Sequence, residues 1–173
     1  MKRIYILVLI GVLSLSLLSV SWVLNNNSSS LVFSDYISKN YPTIVIDAGH
    51  GGEDGGATST LGSLEKDINL DICLTLYKFL KLGGYNTVMS RTTDTSIHDS
   101  DADTTRERKV SDIRNRVKIA NSDSNNLLIS IHQNHFSESQ YFGTQVFYSK
   151  NNANSQVLAE NIRTSVTSLL QTQ

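Results

Sequence analysis

Short apolar runs alternate with longer amphipathic stretches over residues 41–173. Four of the runs have the length and the β-branched or aromatic content of strands. The predicted strands cover residues 43–47, 85–90, 127–131 and 143–149. Elsewhere apolar residues recur at helical spacing, and the predicted helices cover residues 64–82, 105–121 and 153–170. Strands that alternate with helices predict an α/β fold with a mostly parallel sheet and flanking helices.

The first predicted helix has a continuous apolar face. Five residues fall at positions i, i+4, i+8, i+11 and i+12 of this segment: Ile68, Ile72, Leu76, Phe79 and Leu80. This spacing places their side chains on one side of a helix. The glycine pair at 83–84 then ends the helix.

The N-terminus has the pattern of a targeting segment. A Lys-Arg pair precedes an uncharged, apolar stretch at residues 4–24, and about 20 such residues suffice to span a bilayer as a helix. The pattern predicts a cleaved signal peptide or a membrane anchor, and its positive flank places the rest of the chain outside the cytoplasm. We therefore divide the chain into this leader at 1–24, a polar linker at 25–40 and one domain at 41–173.

Composition and charge exclude several classes of protein. The net charge of −1 provides no basic field for nucleic acid. The single cysteine, Cys73, allows neither an intrachain disulfide nor a cysteine metal cluster, and its helical context predicts a small buried hydrophobe. The glycine-rich loop at 49–62 lacks the Gly-Lys-Ser/Thr of a phosphate-binding loop. We expect neither a nucleic-acid-binding protein nor a P-loop enzyme.

Three residues at element boundaries form a candidate metal site. His50 follows the first strand, Glu65 begins the first helix, and His132 follows the third strand. In a parallel sheet the carboxyl ends of the strands share one edge, so these side chains can meet there. Two imidazoles and a carboxylate match the ligand set of a catalytic zinc site, which leaves one position for water. Taken singly, the same residues also fit a loop histidine, a helix N-terminal carboxylate and a strand-end histidine.

The chain also carries an ordered series of motifs that resembles a known family. The motifs occupy residues 47–52, 64–67, 90–94, 116–121 and 130–134, followed by the strand-like segment 143–148. Together they resemble the zinc-dependent N-acetylmuramoyl-L-alanine amidases, from about Thr43 to the end of the chain. The leader, the Leu-Glu-Lys-Asp motif at 64–67 and the Arg-Glu-Arg-Lys segment at 106–109 are most similar to the spore-cortex, germination-specific amidase.

The resemblance implies a function and a set of functional residues. It implies zinc held by His50, Glu65 and His132, with Asp47 outside the ligand set and orienting the metal-binding histidines. The implied reaction is hydrolysis of the amide between N-acetylmuramic acid and L-alanine in peptidoglycan, in spore cortex maturation or germination. The protein would then be exported to the outer face of the membrane, the cell wall or the spore cortex. Its expected partners are peptidoglycan and the membrane, through the N-terminal helix, with room for an accessory protein.

The sequence departs from the family pattern at two places. His135 stands where the family has a small residue after the asparagine. The family also continues into a strand-helix unit whose glutamate, in a Glu-x-Gly-Phe segment, is the general base. No such segment occurs up to Gln173, and Glu138 and Glu160 do not match it. The resemblance therefore predicts a C-terminally truncated amidase domain to which no catalytic base is assigned.

This departure leaves two other functions open. One is a non-catalytic, zinc-bound protein that binds the wall or a partner. The other is a different zinc hydrolase, such as a peptidase, which its cleavage products would separate from an amidase.

Overall fold

The computed structural model describes residues 16, 18–22, 41–134 and 143–170. Residues 18–22 are helical, and no helix within the described residues is long and apolar enough to cross a membrane. Most of the predicted leader and all of the predicted linker lie outside the described residues, so both assignments stay predictions. His135 and Glu138 also lie outside them.

The chain divides into two compact units, Met1–Gln133 and Asn134–Gln173. The first unit contains a three-stranded, fully parallel sheet in the order β2-β1-β3. Its elements, in chain order, are β1 (Ile44–Ala48), α1 (Glu65–Leu82), β2 (Thr87–Met89), α2 (Thr105–Ala120) and β3 (Leu127–Ile131). Parallel strands joined by helical crossovers confirm the predicted α/β fold with flanking helices.

Strand β1 lies at the centre of the sheet and is buried along its whole length. Ile44, Ile46 and Ala48 form the core together with Cys73 of α1. Partly buried residues around them complete it: Leu70, Leu76, Tyr77, Leu80, Tyr85, Met89, Leu127, Ile129 and Ile131. Burial raises the pKa of the Cys73 thiol to about 12, so this residue is an inert core side chain, as its helical context predicted.

The apolar face of α1 lies only partly against the core. Ile68, Ile72 and Phe79 are 38%, 42% and 69% exposed, whereas Asn69 and Cys73 are fully buried. The buried residues of α1 start at Glu65 and continue at i+4 and i+8. Of the five residues at helical spacing, Leu76 and Leu80 do pack against the core. The buried line that begins at Glu65 includes polar residues, which apolar spacing does not reveal.

The start of α2 is fixed by a capping box. The Thr104 side chain accepts a hydrogen bond from the Glu107 N–H, and the Glu107 side chain accepts one from the Thr104 backbone. These reciprocal bonds satisfy two backbone donors at the helix terminus. Because the start is fixed, Arg116 falls three turns further along, on the side of α2 that faces β1.

The second unit contains α3 (Ala153–Leu170), whose bounds are the predicted ones. The strand predicted at 143–149 is wrong, since those residues belong to no strand in the part of the chain that the structure describes. Alternating side chains indicate two faces of an extended segment. A strand also requires a neighbour that completes the hydrogen-bond ladder, and local sequence does not supply one.

Candidate metal centre

His50 occupies a strained position directly after β1. Its φ is 62°, in the left-handed region that non-glycine residues rarely adopt. It lies next to Gly51 and Gly52, whose φ values of 139° and 58° continue the turn. Strain of this kind persists only where the surrounding structure enforces it.

Two arginines enforce the turn by binding three successive carbonyl groups. Arg91 donates from Nε to the Ala48 oxygen at 2.9 Å and from a terminal nitrogen to the Gly49 oxygen at 3.0 Å. Arg116 donates to the Ala48 oxygen at 2.7 Å and to the His50 oxygen at 2.8 Å. Both arginines lie in motifs of the family resemblance, at residues 90–94 and 116–121. In the structure, both arginines hold the backbone that positions His50.

The structure brings the three predicted metal-binding residues together. Each offers one ligand atom, and the three atoms lie within 4.8 Å of one another. The Glu65 Oε1 atom lies 3.2 Å from His50 Nε2 and 3.0 Å from His132 Nδ1. The two imidazoles pack edge to face, with ring centroids 4.9 Å apart. Two nitrogen donors and one oxygen donor therefore converge at the carboxyl edge of the sheet.

The three side chains differ in their access to solvent. Glu65 is 5% exposed and His50 is 19% exposed, whereas His132 is 52% exposed. The site thus has a closed side at the carboxylate and an open side at His132. An open side of this kind is what a catalytic metal site needs for water and substrate.

The surroundings of Glu65 keep its carboxylate ionised. Burial opposes the charge, but backbone N–H donors at Ala57 and Gln133, the Asn69 side chain and His50 outweigh it and hold the pKa of Glu65 below its usual value. The Ala57 and Gln133 bonds are 2.9 and 3.0 Å long. An ionised carboxylate with a fixed orientation is a suitable metal ligand.

Asp54 orients His50, and the sequence did not reveal it. Its Oδ2 atom lies 2.9 Å from His50 Nδ1. Burial raises the pKa of Asp54, but the hydrogen bond and the charge interaction with His50 outweigh this and lower it. An ionised carboxylate only accepts, so Nδ1 of His50 carries a proton and donates to Asp54, and Nε2 is the ring nitrogen that lies next to Glu65. The only signal in the sequence is a spacing of four residues within a glycine-rich loop.

Asp47 does not contact either imidazole through the hydrogen bonds that the structure gives it. Its carboxylate accepts from Arg116 at 2.5 Å and from the Ser130 hydroxyl at 2.7 Å. A role of Asp47 in orienting the histidines therefore stays a prediction. Asp47 is linked to the ligand-bearing segments through Arg116, which binds the carbonyl of His50, and through Ser130, two residues before His132.

His98 lies outside this cluster. Its Nδ1 atom is 2.8 Å from the Ser96 hydroxyl, and that hydroxyl donates to Asp112. These bonds attach the loop after β2 to α2. Glu160, in the second unit, pairs with Arg163 on the surface of α3.

A family model described as N-acetylmuramoyl-L-alanine amidase matches residues 44–173. A germination-specific N-acetylmuramoyl-L-alanine amidase of Bacillus subtilis is 35% identical over 120 residues, which cover 69% of this chain and 50% of that protein. The N-acetylmuramoyl-L-alanine amidase LytC of Bacillus subtilis is 36% identical over 123 residues, which cover 70% of this chain and 22% of that protein. The chain thus spans half or less of the length of these two relatives.

A solved structure is similar over a comparable range. It is the CwlD amidase from Clostridioides difficile in complex with the GerS lipoprotein, with 35% sequence identity and a TM-score of 0.71. The similarity covers 76% of this chain and 68% of that one. A second is the catalytic domain of CwlV, an N-acetylmuramoyl-L-alanine amidase from Bacillus (Paenibacillus) polymyxa var. colistinus, with 30% identity and a TM-score of 0.55.

Proposed function

This chain belongs to the N-acetylmuramoyl-L-alanine amidase family, and from that premise we propose that it hydrolyses the amide between N-acetylmuramic acid and L-alanine in peptidoglycan. The observation that carries the proposal is the convergence of His50, Glu65 and His132 at one edge of the sheet. The amidase activity named for its relatives indicates the substrate.

We infer that the metal is zinc and that these three residues hold it. Neutral imidazole nitrogen and carboxylate oxygen are zinc ligands, and three of them form a catalytic site with one position left for water. At this position, zinc would supply Lewis-acid activation of water and of an amide carbonyl. Asp54 supports this assignment, because it keeps the ring proton on Nδ1 of His50 and leaves Nε2 free to bind.

The chain's own residues prepare the site for a polymeric substrate. Arg91 and Arg116 bind the carbonyls of residues 48–50 and so fix the backbone of the first ligand, His50. Backbone donors at Ala57 and Gln133 fix the carboxylate of the second. The half-exposed His132 leaves one side open, so a glycan strand with its stem peptide can approach without a conformational opening of the fold.

The finer biological role follows from the named relatives. The germination-specific amidase and the CwlD amidase support a role in the spore cortex. The complex of CwlD with a lipoprotein supports an accessory protein as partner. We infer export to the wall side of the membrane, since peptidoglycan lies there and the basic, then apolar, N-terminal segment has the pattern of an export signal.

Metal analysis with product analysis tests this function. We expect the full chain, purified in mild detergent, to bind one equivalent of zinc and to release new L-alanine amino termini from purified peptidoglycan at high protein concentration. His50→Ala and His132→Ala should each abolish tight zinc binding, because two protein ligands rarely suffice. His98→Ala is the matched control and should bind zinc like the unmodified chain.

The products separate the competing functions. Free amino termini other than L-alanine would identify a peptidase. Zinc binding without any hydrolysis would favour a wall-binding or partner-binding protein. Undiminished zinc binding by His132→Ala would contradict the ligand assignment.

A further inference from the structure

Asn69 is a fully buried polar residue on α1, one turn after Glu65. Its neighbour one turn further on the same face is the apolar core residue Cys73. A buried amide without hydrogen bonds costs about 2–7 kcal/mol, a cost that an apolar side chain would not carry. The side chain therefore needs a reason in its contacts.

The amide of Asn69 contacts all three segments that carry the proposed metal ligands. Its Nδ2 atom donates to the Gly49 carbonyl at 3.2 Å, one residue before His50. The same nitrogen donates to Glu65 Oε1 at 3.3 Å. Its Oδ1 atom accepts from Gln133 Nε2 at 3.2 Å, one residue after His132.

These contacts require the chemistry of an asparagine. The two N–H donors of the amide meet a carbonyl and a carboxylate, and its oxygen meets a donor. This pattern also fixes which end of the amide is which, because a flipped side chain would set two oxygens against each other. Aspartate would keep the acceptor and lose both donors, and alanine would lose all three bonds.

The bond to Glu65 falls on the atom that matters most. Oε1 is the oxygen that lies next to both imidazoles, and it also accepts from the Gln133 N–H. Asn69 thus binds Oε1 of Glu65, the residue before His50 and the residue after His132. By holding these three points, it sets the distances between the three ligand atoms.

We propose that Asn69 is a positioning residue that preorganises the metal site by joining its three ligand-bearing segments through one buried amide. The proposal rests on the proposed metal site for its consequence, but the positioning itself is a property of the metal-free chain. Asn69 acts through the ligands and contacts neither metal nor substrate.

The test compares Asn69→Ala with Cys73→Ala in the full chain. The two residues lie one turn apart on the same helix and are both fully buried, so both substitutions remove core contacts and lower stability. Of the two, only Asn69 has hydrogen bonds to the ligand-bearing segments. We expect zinc affinity, measured by competition with a chelating dye, to fall by about 10–100-fold in Asn69→Ala and by less than about twofold in Cys73→Ala.

Two further readouts separate positioning from stability. In the Co²⁺-loaded protein, the visible absorption bands should change shape in Asn69→Ala and keep it in Cys73→Ala, because band shape reports ligand geometry. In the metal-free protein, hydrogen exchange of the Gln133 backbone N–H should be at least about tenfold faster in Asn69→Ala than in Cys73→Ala. The reason is that its acceptor, Oε1 of Glu65, is no longer held by Asn69. If Asn69→Ala does not fold, Asn69→Asp and Gln133→Ala provide the same measurements.

The outcomes are distinct. Equal losses of zinc affinity and equal exchange rates in the two variants would overturn the positioning role, as would an Asn69→Ala protein with unchanged affinity and spectrum. If the unmodified chain binds no zinc, the proposed metal function fails, and the exchange of the Gln133 amide still decides whether Asn69 positions the segments.

Discussion

At the scale of single residues, the site requires a glycine at position 49, where a side chain would collide with His132. A Cβ atom added at Gly49 would lie 2.3 Å from His132 Cε1, closer than real Cβ contacts come. The imidazole of His132 therefore packs directly on the backbone that precedes His50. Gly55, in the same loop, has ordinary contacts, the nearest 3.5 Å from the Leu64 side chain.

Gly49→Ala should displace the His132 ring and weaken zinc binding by about tenfold or more, as changes around metal ligands commonly do. Gly55→Ala is the matched control, because neither glycine has a φ in the left-handed region and only the packing differs. We expect less than about twofold change there. Zinc titration of both variants decides the matter, and equal affinities would show that the His132 ring is not held against Gly49.

At the scale of elements, one carboxylate joins three of them. Asp47 on β1 binds Arg116 on α2 and Ser130 on β3, and Arg116 in turn binds Asp112 one turn before it. Burial opposes the charge of Asp47, but hydrogen bonds from Ser90, Ser130 and Arg116 and the guanidinium charge hold its pKa below the usual 3.8. A lowered pKa in the folded state means that the ionised form stabilises the fold.

Asp47→Asn should lower the free energy of unfolding by about 3 kcal/mol at neutral pH, because it removes one partner of a buried ion pair. The stabilisation is fully present above pH 3.8, the ordinary value, and is lost as the pH falls through the lower folded-state pKa. Urea unfolding from pH 7 to acid should therefore show the two proteins converging only below the ordinary value. Asp71→Asn, at an exposed position of α1, is the control and should have little effect. A difference in unfolding free energy between Asp47→Asn and the unmodified chain that stays constant into strong acid would contradict the assignment.

At the scale of the whole molecule, the described site holds ligands and the residues that orient them. The family resemblance predicts a general base in a Glu-x-Gly-Phe segment, and the 173 residues contain no such segment. The chain also spans 50% of the length of the germination-specific amidase. Ligand binding and proton transfer are thus separable properties that can be tested in one series of proteins.

Extending the chain with the corresponding C-terminal segment of the germination-specific amidase should accelerate release of L-alanine amino termini by about 10²–10⁴-fold, the usual contribution of a positioned general base. The same extension with its glutamate replaced by glutamine should bind zinc equally well and gain no comparable rate. Peptidoglycan hydrolysis is followed for all three proteins. Equal rates with and without the extension would show that a residue of the present sequence serves as the base.

Local pattern in the sequence determined the secondary structure of the first unit and the positions of the metal-site residues. The sequence predicted β3 at its observed bounds and placed β1 and α1 within one residue at each end, because strand and helix periodicities are local. It also placed His50, Glu65 and His132 at one sheet edge, because parallel strands share the direction of their carboxyl ends.

Only the tertiary structure decided which side chains support those residues. The amide of Asn69 joins the site through contacts with segments that are distant in sequence. The carboxylate of Asp54 joins it through a contact within a loop that has no periodic pattern. The buried face of α1 and the absence of a strand at 143–149 among the described residues were likewise decided by packing and pairing. A residue's neighbours in space depend on how the whole chain folds. The spacing of hydrophobic residues along the sequence carries no information about a polar contact between segments that meet only in the folded state.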